Sequence, residues 1–201
     1  MEKFYYEVPS IARKEDAIDY IEEFNRFGSE VQGAGCLQRY LDNYEGWLDF
    51  LEKDKRIIPS EEDVPTETFF LVRESDNKIV GMTNIRTGMN TDWSKWRGHI
   101  GFSIRPTERR KGYNKINLYL ALEKCQEFGI ENAILTCKDD NIGSYKTMES
   151  FGVVPEEYQY DDFMVKRYII PVEKTLIEYE DVYSQSRKKQ RWNYLCFVIM
   201  C

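Results

Sequence analysis

Histidine occurs once in the 201 residues, at position 99, so any imidazole chemistry falls on that one ring. The five cysteines (Cys36, Cys125, Cys137, Cys196 and Cys201) are odd in number and lack paired ligand spacing. That argues against both a disulfide framework and a zinc site, and fits free thiols in a reducing compartment. No stretch approaches the roughly 20 apolar residues needed to span a bilayer. Met1-Glu2-Lys3 leads into aromatic and acidic sequence with no apolar signal core. The expected location is the cytoplasm, with no membrane partner. Repeats, low-complexity tracts and Gly/Ser-rich linkers are also missing, so one domain over residues 1–201 is the default. Net charge is -7, which argues against broad nucleic-acid binding because a phosphate backbone would be repelled by most of this surface.

Against that acidic background, residues 105–114 read Arg-Pro-Thr-Glu-Arg-Arg-Lys-Gly-Tyr-Asn. The run joins two periodic segments. Before it, Ile100, Phe102 and Ile104 alternate with His99, Gly101 and Ser103, the period-2 signature of a strand, and Pro106 ends the ladder. After it, Leu118, Ala121, Leu122, Cys125 and Phe128 recur at helical spacing up to Gly129, a left-handed C-terminal cap. A helix start near Gly112 leaves unpartnered amides and partial positive charge beside Arg109, Arg110 and Lys111. An anion is favoured there, and Gly112 lets the backbone approach it closely. The alternative is a solvated basic turn at an ordinary helix start.

The turn lacks the Gly-Lys-Ser/Thr ending of a P-loop and the Gly-x-Gly-x-x-Gly of a dinucleotide fold, which sets ATP and NAD aside. Arg109-Arg110-Lys111-Gly112-Tyr113-Asn114 resembles the acetyl-CoA signature Arg/Gln-x-x-Gly-x-Gly/Ala of the GNAT superfamily of N-acetyltransferases. Asn114 departs from it, replacing a small residue by one whose side chain must turn away. A second block, Asp140 to Gly152, resembles the family's Asn-x-x-Ala/Ser segment followed by a glycine at the helix end. With Gly98 to Pro106 included, the pattern is similar to a bacterial branch of predicted acetyltransferases. The resemblance covers about residues 66–170. It implies a mixed α/β (α+β) fold whose mostly antiparallel central sheet is flanked by helices.

The same resemblance implies acetyl-CoA as donor substrate and no metal. The pantetheine arm would pair with backbone at Phe102, Ser103 and Ile104, and Arg109, Arg110, Lys111, Gly112, Tyr113 and Asn114 would take the pyrophosphate. Asn141 would contact the arm from the other side. Where relatives carry a general-acid tyrosine stands Met148, which cannot protonate a thiolate. Solvent or Tyr145, one turn earlier, would have to substitute. His99 lies near where relatives often carry a glutamate base, and its ordinary pKa near 6.5 suits proton acceptance; the other reading is a structural histidine at a strand start.

Other elements are expected at Phe4 to Val8 (strand), Ile11 to Phe27 and Cys36 to Lys55 (helices), Phe69 to Val72 and Lys78 to Ile85 (hairpin), and Asn132 to Cys137 (strand). The N-terminal helical portion, about 1–58, would flank the acceptor site, and the loop Gly88 to Arg97 brings Trp93 and Trp96, which either pack or line it. Residues 171–201 would form a C-terminal strand or tail, whose apolar end completes the sheet or makes a homodimer contact. The reading favoured on these grounds is an N-acetyltransferase acting on an amine of a small molecule or peptide. A non-catalytic acyl-CoA-binding sensor or scaffold is the alternative, followed by a structural subunit that binds no cofactor.

Overall fold

Strand β2 (Thr66–Arg73) sets the layering: Phe69 and Leu71 enter one hydrophobic cluster while Phe70 and Val72 enter another, so the sheet is buried on both faces. The computed structural model describes residues 2–60, 63–90 and 95–187. Around β2, β1 (Phe4–Glu7), β3 (Lys78–Arg86) and β4 (Ile100–Ile104) form a four-stranded antiparallel sheet in the order β1-β2-β3-β4. The β2–β3 hairpin turns through Asn77 at φ 56°, a left-handed position that asparagine tolerates. A second antiparallel sheet, in the order β5-β7-β6, comprises β5 (Asn132–Lys138), β6 (Glu156–Tyr160) and β7 (Phe163–Pro171).

Helices α1 (Lys14–Arg26) and α2 (Tyr44–Asp54) cover one face, burying Tyr20, Ile21, Phe24, Tyr44, Trp47 and Leu51 against Phe70, Val72, Ile79 and Met82. Helices α3 (Tyr113–Glu127), α4 (Ile142–Glu149) and α5 (Val172–Tyr183) lie in the other layer. Residues Asn117 to Leu122 of α3 are all buried, because the helix runs between the sheet and α5. The Tyr119 hydroxyl donates to Glu180 Oε2 of α5 at 2.7 Å. This is the expected mixed fold, an antiparallel framework flanked by helices.

Two expectations need correction. Cys36 to Lys55 is not one helix: a short 3-10 turn at Leu37–Arg39 is followed by a break, and α2 begins only after Asn43. The Asn43 side chain accepts from the Gly46 amide at 3.1 Å, so an N-cap interrupts what the apolar spacing alone made continuous. The apolar stripe itself is core: Leu37, Tyr44 and Leu51 are buried, and Tyr40, Leu41 and Leu48 pack against them. Residues 172–183 form α5, which was not expected, its Leu176 and Val172 joining the core around α3, and beyond it Arg187 makes an isolated parallel bridge to Phe4 of β1. Ser186 O accepts from the Phe4 amide at 2.8 Å. The apolar end of the expected C-terminal strand lies outside the described residues.

Trp47 ties this layer together. Its ring is buried against Phe70 and Tyr44, and Nε1 donates to Gly35 O at 2.6 Å. Trp47→Ala is expected to cost about 3–5 kcal/mol of unfolding free energy, by cavity formation and an orphaned carbonyl. Chemical denaturation measures it, and a loss below about 1 kcal/mol would mean that the layer repacks without the indole.

Candidate functional site

The two sheets touch through β4 and β5 at one joint. Gly98 bridges Leu135, the His99 amide donates to Ile134 O at 2.6 Å, and the Ile134 amide donates to His99 Nδ1 at 2.9 Å. Gly98 has φ +66°, and a Cβ there would stand 2.4 Å from Ile134 O, so glycine is required for the close approach. Among the described residues no ladder joins β4 to β5 beyond this point. The Arg86 amide donates to His99 O and the Arg105 amide to Val80 O, with unbroken register between them. Antiparallel alternation therefore turns the backbone groups of Phe102 and Ile104 away from β3. That side of β4 is an edge on which an extended ligand can pair.

The other residues of β4 are fastened from the α1 side. Ser103 Oγ donates to Gln32 O at 2.5 Å, and the Tyr20 hydroxyl lies 3.0 Å from Ser103 Oγ and 3.1 Å from Ser103 O. A Cβ on Gly33 (φ +72°) would stand 2.4 Å from Gly101 O, so the segment after α1 lies directly on the strand. Ile104 is buried and Phe102 half-buried in the core beside α3.

Beyond β4 the chain turns through a set of buried ion pairs. Arg105 Nη1 donates to Asp19 Oδ2 at 2.6 Å and Glu23 Oε2 at 2.9 Å, and Glu23 Oε1 accepts from both the amide and the hydroxyl of Thr107 at 2.9 Å. The buried Glu108 carboxylate is approached by Arg73 and Lys111 at 2.8 Å and by Lys78 at 3.4 Å. Burial alone would raise its pKa, but these cations hold it down at about 2. The basic cluster read from the sequence is thus mostly engaged within the protein. Lys111 is paired with Glu108, and Arg109 donates to Ile104 O at 3.1 Å and Ser29 Oγ at 2.8 Å while lying over Phe24.

What the turn presents outward is backbone. Arg110 is exposed at φ 63°, and Gly112 follows at φ 81°, where a Cβ would meet nothing within 4 Å. No side chain caps α3, and only the Lys115 amide turns back, to Gly112 O at 3.1 Å, so the Tyr113 and Asn114 amides and the dipole are free to meet an external acceptor. Tyr113 packs on Phe4 with ring centroids 4.7 Å apart, and Asn114 turns to α4, where it donates to Thr147 Oγ1 at 3.1 Å. Asn141 caps α4, its Oδ1 accepting from the Ser144 amide at 3.2 Å. Tyr145 is half-buried against the core with Lys166 Nζ 5.5 Å from its ring centroid, and Met148 is wholly buried. Trp96 stacks on Tyr160 of β6, whereas Trp93 lies outside the described residues.

A family model described as the Acetyltransferase (GNAT) family matches residues 34–153. The chain belongs to the GNAT acetyltransferase family. No curated protein matches it. Among solved structures, RimJ of Mycobacterium smegmatis in complex with CoA-disulfide superposes with a TM-score of 0.65 at 12% identity, covering 89% of this chain and 88% of that one. Ribosomal-protein-S5-alanine acetyltransferase from Vibrio fischeri gives 0.61 at 11% identity, covering 86% and 95%. A spermidine N-acetyltransferase SpeG chimera from Vibrio cholerae and hSSAT gives 0.56 at 15% identity, covering 87% and 98%. At these identities the likeness is one of fold.

The pairing of Glu108 with Arg73, those of Asp19 and Glu23 with Arg105, and the contacts of Gln32 and Gly33 with β4 join residues far apart in the chain and have no local signature; the glycines at Gly33 and Gly35 were the available sign of close backbone approach. Of the two roles offered for His99, the geometry supports the structural one. With Nδ1 accepting from the Ile134 amide, the neutral ring carries its proton on Nε2 and has no lone pair to offer an amine. Burial and the nearby Arg86 charge lower its pKa from 6.5 to about 4. The unfolded chain therefore binds a proton more readily than the folded one between these values, and stability is lost as pH falls from about 6.5 toward 4. The melting temperature of the protein is expected to fall over that range, and to fall less steeply in His99→Asn. Equal slopes in both proteins would contradict a buried neutral histidine.

Proposed function

We propose that the protein transfers the acetyl group of acetyl-CoA to a primary amine of a small molecule or peptide, by direct attack on the thioester carbon. A carbon–nitrogen bond forms, the carbon–sulfur bond breaks, the amine gives up a proton and the departing thiolate takes one. The observation that carries this reading is the outward edge of β4 at Phe102 and Ile104, set next to the uncapped start of α3. The edge suits the amide-bearing pantetheine arm, and the helix start suits a pyrophosphate.

In this reading the outward backbone of Phe102 and Ile104 aligns the arm and an amide on that edge stabilises the developing oxyanion, whereas Ser103, expected from the sequence to share this role, faces β3 with its backbone and seats the strand instead. The amides of Gly112 and Tyr113, with exposed Arg110, receive the pyrophosphate. Arg109 and Lys111 shape the turn through Ile104, Ser29 and Glu108 instead of meeting the ligand. Asn141 acts by setting the start of α4. His99 is a positioning residue at the joint, and Tyr145 on α4 is the candidate acid for the thiolate. Most of the rate then comes from holding donor and amine together.

The acceptor is read as an amine because relatives of this fold include enzymes named for a ribosomal-protein alanine and for spermidine. A net charge of -7 suits a cationic amine. Acetyl-CoA and the free thiols of Cys36, Cys125 and Cys137 are consistent with the cytoplasm. A second reading, an acyl-CoA-binding sensor without turnover, draws on Met148, which is wholly buried where relatives place the acid. Release of free thiol from acetyl-CoA in the presence of screened amines separates the two.

Titration calorimetry with acetyl-CoA, then CoA, is expected to show micromolar binding. Gly112→Glu should weaken it by more than about 30-fold, through charge repulsion at the pyrophosphate, with the circular dichroism unchanged. Gly112→Ala, which shares the strain at φ 81° without the charge, should weaken it less. Unchanged affinity in Gly112→Glu would remove this turn from the site.

A further inference from the structure

We infer that Asn114 is a positioning residue for the donor: its side chain clamps the first turn of α3 to α4, fixing the mutual placement of the two helix starts assigned above to acetyl-CoA. The inference rests on that assignment. The first turn of α3 is where the GNAT signature has a small residue and this chain has asparagine, and the geometry gives the larger side chain a task.

The hydrogen bonds run in one consistent direction. Thr147 Oγ1 donates to Gly143 O one turn back on α4 at 2.7 Å, leaving its oxygen to accept from Asn114 Nδ2 at 3.1 Å. Asn114 Oδ1 in turn accepts from Asn117 Nδ2 at 3.4 Å, a longer and weaker contact. Asn117 is fully buried, and its Oδ1 accepts from the Tyr6 hydroxyl at 2.8 Å and Thr83 Oγ1 at 2.9 Å. A chain of polar groups thus connects β1 and β3, through α3, to α4. Thr147 is itself buried, so its contact with Asn114 is largely shielded from water.

Position along the helices gives the clamp its consequence. Asn114 is the second residue of α3, next to the amides that face an anion, and Thr147 lies one turn beyond Gly143, the second residue of α4. Among the described residues no other side-chain hydrogen bond joins the start of α3 to α4, since Asn141 caps α4 locally and no side chain caps α3. Without Asn114 the two starts can shift relative to one another, and a ligand spanning both loses its preorganised seat. Asn114 acts through Thr147 and contacts no donor atom itself.

The two possible roles of the side chain predict opposite signs. If Asn114 crowded the donor, Asn114→Ala, which restores the small residue of the signature, would tighten CoA binding. As a clamp, it should weaken CoA binding about tenfold by calorimetry, and Thr147→Val should do the same. The double variant should be no weaker than either single one, because both remove one contact, and Thr147→Ser, which keeps the hydroxyl, should bind like the unmodified protein. Tighter or unchanged binding in Asn114→Ala, or losses that multiply in the double variant, would overturn the inference. Failure of the unmodified protein to bind CoA would instead overturn the donor assignment, and the clamp's role with it.

Discussion

The joint between β4 and β5 is the constraint on which the rest depends. Two sheets that share a core must meet somewhere, and here they meet through the backbone of Gly98, His99, Ile134 and Leu135 with one imidazole nitrogen included. A glycine permits the approach, and a buried neutral histidine supplies the acceptor that a continued ladder would otherwise have supplied. Past that point the strands no longer pair, and the backbone of β4 faces outward at Phe102 and Ile104, with Ile104 O accepting from Arg109 Nε. An open strand edge is ordinarily an aggregation liability, and the donor proposed above would cover it.

A usable edge also has to be held still, and this is done electrostatically from the α1 side. Arg105 is buried between Asp19 and Glu23, Glu23 reaches on to Thr107, and Glu108 gathers Arg73, Lys78 and Lys111. Such groups stabilise little in net terms, because desolvation offsets much of the attraction, but each missing partner leaves a buried charge unpaired. Their effect is to make one path of residues 105–112 much better than any other. That path ends at Gly112 with the α3 amides directed outward, while Asn114 and Thr147 carry the same register to α4. Basic residues that look like phosphate ligands in the sequence are largely framework, and the anion site proposed for this turn is made of backbone.

Much of the framework was legible before any coordinates. The alternation at Ile100 to Ile104 and the helical spacing from Leu118 to Phe128 gave strand, turn and helix in the right order, because each is set by local periodicity. Spacing failed where a side chain competed with it, as at Asn43, whose cap splits the expected second helix. It was silent on α5 as a helix and on the β6–β7 hairpin, both of which owe their form to packing against distant elements. The turn at residues 105–112 and the helix start after Gly112 were legible from spacing, but which of its basic side chains are engaged within the protein was not. Whether Arg109 meets a ligand or Ile104 O and Ser29 depends on contacts up to 80 residues away in the chain, which no local motif records. Likewise His99 reads as a base by its chemistry and becomes a structural acceptor only once Ile134 is placed against it.

The central claim is that the donor occupies the open edge of β4 and the start of α3. Hydrogen–deuterium exchange with and without saturating acetyl-CoA tests it most directly, since it reports on the amides themselves. Slower exchange confined to the amides of Phe102 and Ile104 and of residues 110–114, with the amides of β2 and β3 unaltered, is the predicted result. Protection elsewhere, or none despite measured binding, would contradict the account.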